Sequence, residues 1–206
     1  MNDKTSKSVE TFPGKESKWS ARQLAVIGLM TAVTCILGPL SLPLPFSPVP
    51  ISLTNLAIYF AVYVLGTKKG ALSYIIYLLI GLAGVPVFSA FTSGPGKLLG
   101  PTGGYLIGFL FMALISGLFI DRHPSGMIFH LAGMALGTAV CYLFGTVWLS
   151  IQASIPFSAA LAAGVIPFLP ADAAKIVIAM AAGAQVRRRL MRAGMIQYSL
   201  PAAGKR

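Results

Sequence analysis

Charge is scarce in this 206-residue sequence: Asp, Glu, Lys and Arg make up 10 % of it, against about a quarter in a soluble globular domain. A water-soluble exterior of ordinary polarity is therefore excluded. Acids are scarcest of all, five against sixteen Lys and Arg, for a formal net charge of +11. Cysteine occurs twice, as Cys35 and Cys141, both inside apolar runs. Neither belongs to a CxxC or Cys/His cluster, so a disulfide framework or a metal site is not expected. Catalytic patterns are missing too. There is no GxSxG, no HExxH and no H-x-E…C-x-x-C. Ser116 and His130 are the best candidates for an intramembrane Ser–His pair, and their spacing does not support one.

What the sequence has is apolar length. Hydrophobic residues make up 56 % of the chain, more than one core can bury while the surface stays polar. The solvent that accepts this surface is lipid. A membrane span needs about 20 mostly apolar residues. Six stretches qualify, near 22–42, 51–66, 70–88, 103–120, 126–148 and 164–186. The expected fold is all-α, a single bundle of six transmembrane helices. Residues 1–21 and 187–206 form polar, basic tails. The first run lacks an A-x-A-like cleavage site and reads as a retained span.

Proline and glycine separate the runs, because helices do not continue through them. Pro43, Pro45, Pro48 and Pro50 break the chain between the first two. Gly66-Thr67-Lys68-Lys69-Gly70 reads as a tight basic turn, and a Gly/Pro-rich loop fills 89–104. Gly94-Pro95-Gly96-Lys97 superficially matches a phosphate loop. A Walker A motif, however, ends in GK followed by Ser or Thr, and Leu98 stands there.

Basic residues cluster beside the runs, which fits topology and anionic lipid rather than nucleic acid. With both termini inside, fourteen of the sixteen fall on the cytoplasmic side: Lys4, Lys7, Lys15, Lys18, Arg22, Lys68, Lys69, Arg122 and six from Arg187 onward. Lys97 alone lies outside, and Lys175 lies within the sixth run. Trp19 and Trp148 fit interfacial anchors.

Asp172 is the only acid inside an apolar run and Lys175 the only base. Three residues apart, they share a helix face. Ionisable residues in spans are costly and usually line a cavity or pathway. A structural ion pair is the alternative. Pro167-Phe168-Leu169-Pro170 suggests a kinked start that sets Asp172 near the first exposed turn. Small residues at four-residue spacing mark close helix approach. They are Ala21, Ala25, Gly28 and Ala32 in the first run, Gly104 and Gly108 in the fourth, and Gly133 and Gly137 in the fifth.

Leu99-Gly100-Pro101-Thr102-Gly103-Gly104-Tyr105-Leu106-Ile107-Gly108-Phe109 resembles the BioY family, the biotin-capturing (S) subunits of energy-coupling factor (ECF) transporters. The resemblance extends over about 20–190. It includes Pro48-Val49-Pro50-Ile51-Ser52-Leu53-Thr54-Asn55-Leu56-Ala57, Gly81-Leu82-Ala83-Gly84-Val85-Pro86-Val87-Phe88, and Phe168-Leu169-Pro170-Ala171-Asp172 with Lys175 after it. The sequence departs in Ala171, where the family commonly has Gly, and in Thr92, where it sometimes has Asn. The resemblance implies a six-helix bundle that binds biotin on its outer side and transports it unchanged across the bacterial plasma membrane. No cofactor is expected, biotin being the cargo. Asp172, Lys175, Thr92, Gly104, Tyr105 and Thr54 are the implied binding residues. Lys175 would pair with Asp172 or with the biotin carboxylate. Ala21, Ala25, Gly28 and Ala32 would dock on a transmembrane coupling subunit driven by two cytoplasmic ATP-binding subunits. A solitary secondary importer is the alternative, and a membrane enzyme a more distant one.

Overall fold

A computed structural model of the chain describes residues 20–124 and 126–195. Trp19, the tail lysines Lys4, Lys7, Lys15 and Lys18, and the last two basic residues, Lys205 and Arg206, lie outside the described residues. Among the described residues the elements run α1 (Ala21–Leu37), β1 (Ser41–Leu44), β2 (Ser47–Ser52), α2 (Thr54–Leu65) and α3 (Thr67–Leu82). Then follow α4 (Pro95–Leu99), α5 (Gly103–Arg122), α6 (Met127–Ala153), α7 (Phe157–Gly164) and α8 (Leu169–Arg192). By length and composition, Gly103–Arg122, Met127–Ala153 and the run Phe157–Arg192 can cross a membrane, while Ala21–Leu37 and Thr54–Leu65 are shorter apolar helices. Large apolar side chains stand exposed all round, among them Ile36, Ile128 and Ile151, each about two-thirds accessible or more. Such a surface suits lipid.

The helix boundaries differ from the expected spans where local chemistry overrides hydropathy. The first run was expected to reach residue 42, but α1 stops at Leu37 before Gly38 and Pro39. The four alternating prolines do more than break the chain. Proline fixes an extended φ and pushes the preceding residue toward the β region. Residues 41–52 accordingly fold into an antiparallel hairpin, with Ser41 opposite Ser52 and Leu42 opposite Ile51. Proline is tolerated there because both strands are edges.

The basic turn at 66–70 shrinks to one residue. Gly66 takes φ +79°, and Thr67, Lys68 and Lys69 already belong to α3. Two lysines at a helix N-terminus oppose its dipole. Asp121 of α5 offsets them, accepting from the Thr67 backbone N–H at 2.8 Å and its hydroxyl at 2.7 Å. At the far end α3 stops at Leu82 rather than 88, and Gly84 turns at φ +104°. The sixth run starts later than expected. Phe157–Gly164 forms the separate α7, and α8 begins at Leu169 after a 3-10 turn at Ile166–Phe168. Helix α8 also continues through Arg192, so the tail expected from residue 187 is helical in its first part.

Helices α5 and α6 form the tightest pair, and the glycine spacing explains it. A Cβ on Gly108 would stand 2.9 Å from the Cys141 Cα, and one on Gly137 would meet Met112 and Ser116 at 2.8–3.3 Å. Around this seam the core is rich in tyrosine, and the hydroxyls are satisfied. Tyr74 donates to the Leu106 carbonyl (2.6 Å), Tyr77 to Val87 (3.0 Å) and Tyr105 to Gly164 (2.9 Å). Tyr59 bonds Thr138.

The two ends of the bundle have opposite characters. Asp121 meets Thr67, the Arg187 guanidinium donates to the Tyr63 carbonyl at 3.3 Å, and Met195 packs with Val26 and Leu190. These contacts put Arg22, Lys68, Lys69, Arg122 and the α8 arginines at one end. The hairpin, α4 and the start of α8 occupy the other.

Candidate functional site

At that second end β2, α2, α4, α5, α6 and α8 enclose a cleft of about 650 Å³, its open mouth included. Its floor is polar. Lys175 and Asp172 are buried, 7 % and 6 % exposed, and pair at 3.0 Å. Asp172 sits in the first turn of α8, where backbone N–H groups favour an anion. A lysine ammonium has three donor positions, and all three are used. They reach Asp172 Oδ1 (3.0 Å), the Ser52 carbonyl (2.6 Å) and Asn55 Oδ1 (3.0 Å).

Asp172 is less fully engaged. Its Oδ2 accepts from the Tyr142 hydroxyl at 2.7 Å. A carboxylate offers about four acceptor positions, so two remain. Asn55 is the complementary group. Its Oδ1 takes Lys175 and the Leu56 backbone N–H (3.1 Å), which fixes the amide orientation. Its Nδ2 then has no protein acceptor among the described residues. The floor thus presents spare acceptor capacity at Asp172 and a spare donor at Asn55.

The walls are apolar and aromatic: Tyr105, Phe109, Met112, Cys141 and Phe168. Part-exposed Ser89 and Lys97 stand toward the mouth, and buried Thr102 completes the lining. Lys97 is half-buried on α4, and burial holds its ammonium below the ordinary lysine value. The mouth is pinned from α6, where Trp148 Nε1 donates to the Gly100 carbonyl (2.9 Å) and Gln152 Nε2 to Leu99 (2.8 Å). Trp148 therefore ties down the loop between α4 and α5.

Of the six binding residues expected from the sequence, Asp172, Lys175, Tyr105 and Thr54 line the cleft. The structure does not bring Thr92 and Gly104 to it. The Thr92 hydroxyl turns back on the Ser89 carbonyl at 2.8 Å, closing a tight turn in which Ala90 and Phe91 both adopt left-handed φ. Gly104 faces α6, where a Cβ would stand 2.2 Å from Trp148 Cβ. Its role is helix packing. Asn55, Tyr142 and Lys97 were missed. Asn55 follows Thr54 in a quoted motif and had a visible signal. Tyr142 had none, being one aromatic in an apolar run. Ser116 and His130 do not pair: Ser116 bonds the Gly133 carbonyl, and His130 bonds Tyr63 and the His123 carbonyl.

On α1 the small residues Ala21, Ala25, Gly28 and Ala32 are all exposed, and nothing lies within 4 Å of a Cβ built on Gly28. The packed face of α1 is the other one, Val26, Ile27, Met30 and Thr34.

Residues 9–192 match the BioY family profile. The chain is 36 % identical over 158 residues to a biotin transporter BioY of Thermotoga maritima, which covers 77 % of this chain and 91 % of the relative. A biotin transporter BioY of Rhizobium etli is 35 % identical over 190 residues, 88 % and 97 % of the two chains. Among solved structures, the S-component for biotin from an ECF-type ABC transporter superposes with TM-score 0.76 at 32 % identity, over 81 % of this chain and 91 % of that one. A profile match over nearly the whole described region, joined to this likeness in fold, shows that the chain belongs to the BioY family.

Proposed function

We propose that this chain captures biotin at the outer face of a bacterial plasma membrane, as the substrate-binding subunit of an ECF-type importer. The observation that carries the reading is the complementarity of the cleft floor. Biotin's ureido group has N–H donors and a carbonyl acceptor. Asp172 retains acceptor positions, and Asn55 Nδ2 retains a donor. A charge-assisted N–H···carboxylate bond is among the stronger kinds, and the aromatic walls suit the thioether ring. The purified chain should bind biotin in a panel with thiamin and riboflavin. Binding of another vitamin in preference would overturn the reading.

Lys175 has no donor left for the valerate tail, so in this reading it organises the floor. Lys97 at the mouth takes the carboxylate. An ion pair at a half-buried site contributes about 1–2 kcal/mol, so Lys97→Met should weaken biotin binding about 5- to 30-fold. Biotin methyl ester should bind the variant and the parent alike. The protonated ammonium is the binding form, so parent affinity should decline as alkaline pH deprotonates Lys97, and the variant should lack that decline. Equal loss of acid and ester would assign Lys97 to packing.

The topology proposed is six spans with both termini cytoplasmic. It draws support from the basic end of the bundle, opposite the cleft. In a background lacking native cysteines, Lys97→Cys should react with an impermeant reagent added outside, and Arg188→Cys should not. The reverse labelling would invert the orientation.

The exposed small face of α1 favours an assembled importer over a solitary one. Two ATP-binding subunits would drive the coupling subunit. Ala25→Trp places a bulky ring on that face without touching the α1 core, so it should abolish co-purification with a coupling subunit and leave biotin affinity unchanged. Full complex formation by the variant would remove α1 from the interface.

A further inference from the structure

The structure assigns a binding site for one anionic phospholipid to the crevice between α6 and α8, at the end of the bundle away from the cleft. Two chambers meet there. The first is almost wholly apolar, lined by Met127, Ile128 and Leu131 of α6 and by Val177, Met180 and Ala181 of α8. The second holds Tyr63, His130, Ala184, Arg187 and Arg188. Met127 lines both, so they adjoin at that side chain. Along α8 the lining residues 177, 180, 181, 184, 187, 188 and 191 form two adjacent rows with three- and four-residue spacing, which is one helix face. That face is apolar as far as Ala184, Arg187 and Arg188 follow, and Met191 stands beyond them. At ~1.5 Å per residue, Val177 to Arg188 spans about 16 Å, close to half of a ~30 Å hydrocarbon core.

The charge in the second chamber comes from the arginines. His130 is satisfied as a neutral ring, with Nδ1 2.8 Å from the Tyr63 hydroxyl and Nε2 2.8 Å from the His123 carbonyl. The carbonyl only accepts, so Nε2 carries the proton and Nδ1 accepts from Tyr63. Arg187 donates to the Tyr63 carbonyl, which holds its guanidinium at the chamber wall. Arg188 is exposed beside it. Guanidinium groups match phosphate oxygens in geometry and charge. An acyl chain fills the apolar chamber, and the phosphate of the same molecule meets Arg187 and Arg188. A helix of a partner protein would suit the first chamber, but would use the second only if it carried an acidic side chain there.

The test uses the full chain in neutral detergent and native mass spectrometry with phosphatidylglycerol and phosphatidylcholine of identical acyl composition. A basic residue at the surface favours anionic lipid by about fivefold, so the parent should retain phosphatidylglycerol at least about fivefold better. Arg188→Gln should lower that preference about fivefold. Arg189→Gln, which changes an exposed arginine outside the chamber, should leave it unchanged. Ala181→Trp should reduce retention of both lipids, with folding checked by thermal unfolding. Equal retention of the two lipids by the parent overturns the proposal, as does an equal effect of Arg188→Gln and Arg189→Gln. If Ala181→Trp leaves lipid retention intact and instead blocks a coupling subunit, the crevice is a protein interface and the lipid site is refuted.

Discussion

Replacing Asp172 with Asn is expected to lower biotin affinity about 10- to 150-fold, the equivalent of the ~1.5–3 kcal/mol carried by a hydrogen bond to a charged group. The substitution preserves size. It exchanges one acceptor oxygen for an N–H donor and removes the negative charge. A ureido N–H would lose its charge-assisted bond and, in one amide orientation, face another donor. The Tyr142 hydroxyl, 2.7 Å from Oδ2, can turn to accept instead, so the pocket keeps its shape. Titration calorimetry on the purified variant, with thermal unfolding in parallel, separates binding from folding. If the variant folds normally and binds biotin as tightly as the parent, Asp172 is only a structural partner of Lys175.

Lys175→Met should instead act mainly on stability. It leaves the buried Asp172 carboxylate without its ammonium and withdraws donors from the Ser52 carbonyl and Asn55 Oδ1. Removing one member of a buried ion pair costs about 3–5 kcal/mol, so unfolding should shift to markedly lower temperature. The double variant Asp172→Asn with Lys175→Met contains neither buried charge. It should recover most of the lost stability, while its biotin affinity stays no better than that of Asp172→Asn alone. That dissociation distinguishes an organising lysine from a ligand-holding one. A double variant less stable than Lys175→Met would show that the ion pair is not what holds the floor together.

Hydropathy and charge located the helices because lipid imposes a coarse, long-wavelength requirement on a sequence. They misplaced the ends because ends are set by single residues. Gly38 and Pro39 stop α1, Gly66 with a distant Asp121 starts α3, and Gly84 lets the chain leave α3. The Asp172–Lys175 pair was legible because a charge in an apolar run is conspicuous and three-residue spacing has one geometric meaning. Tyr142 and Asn55 were not legible from pattern alone. Their relevance arises from contacts across 30 and 120 residues of chain, which no local pattern encodes. That Thr92 and Gly104 stand outside the cleft lining was not legible for the converse reason. A Gly/Thr-rich loop has the same composition whether it cradles a ligand or lets two helices touch.

The reach of Lys175 also bears on how the protein is made. Its ammonium joins Ser52 and Asn55, 123 and 120 residues earlier in the chain. Synthesis proceeds from the N-terminus at about 5–20 residues per second. For several seconds or more, then, the nascent protein holds Ser52, Asn55 and later Tyr142 with neither of their charged partners. The floor of the cleft is assembled only when α8 arrives, and both charges arrive together on one helical turn. A chain interrupted before α8 has no carboxylate in its cleft at all. Ribosome stalling or proteolysis in that interval thus yields fragments that lack the Asp172–Lys175 pair.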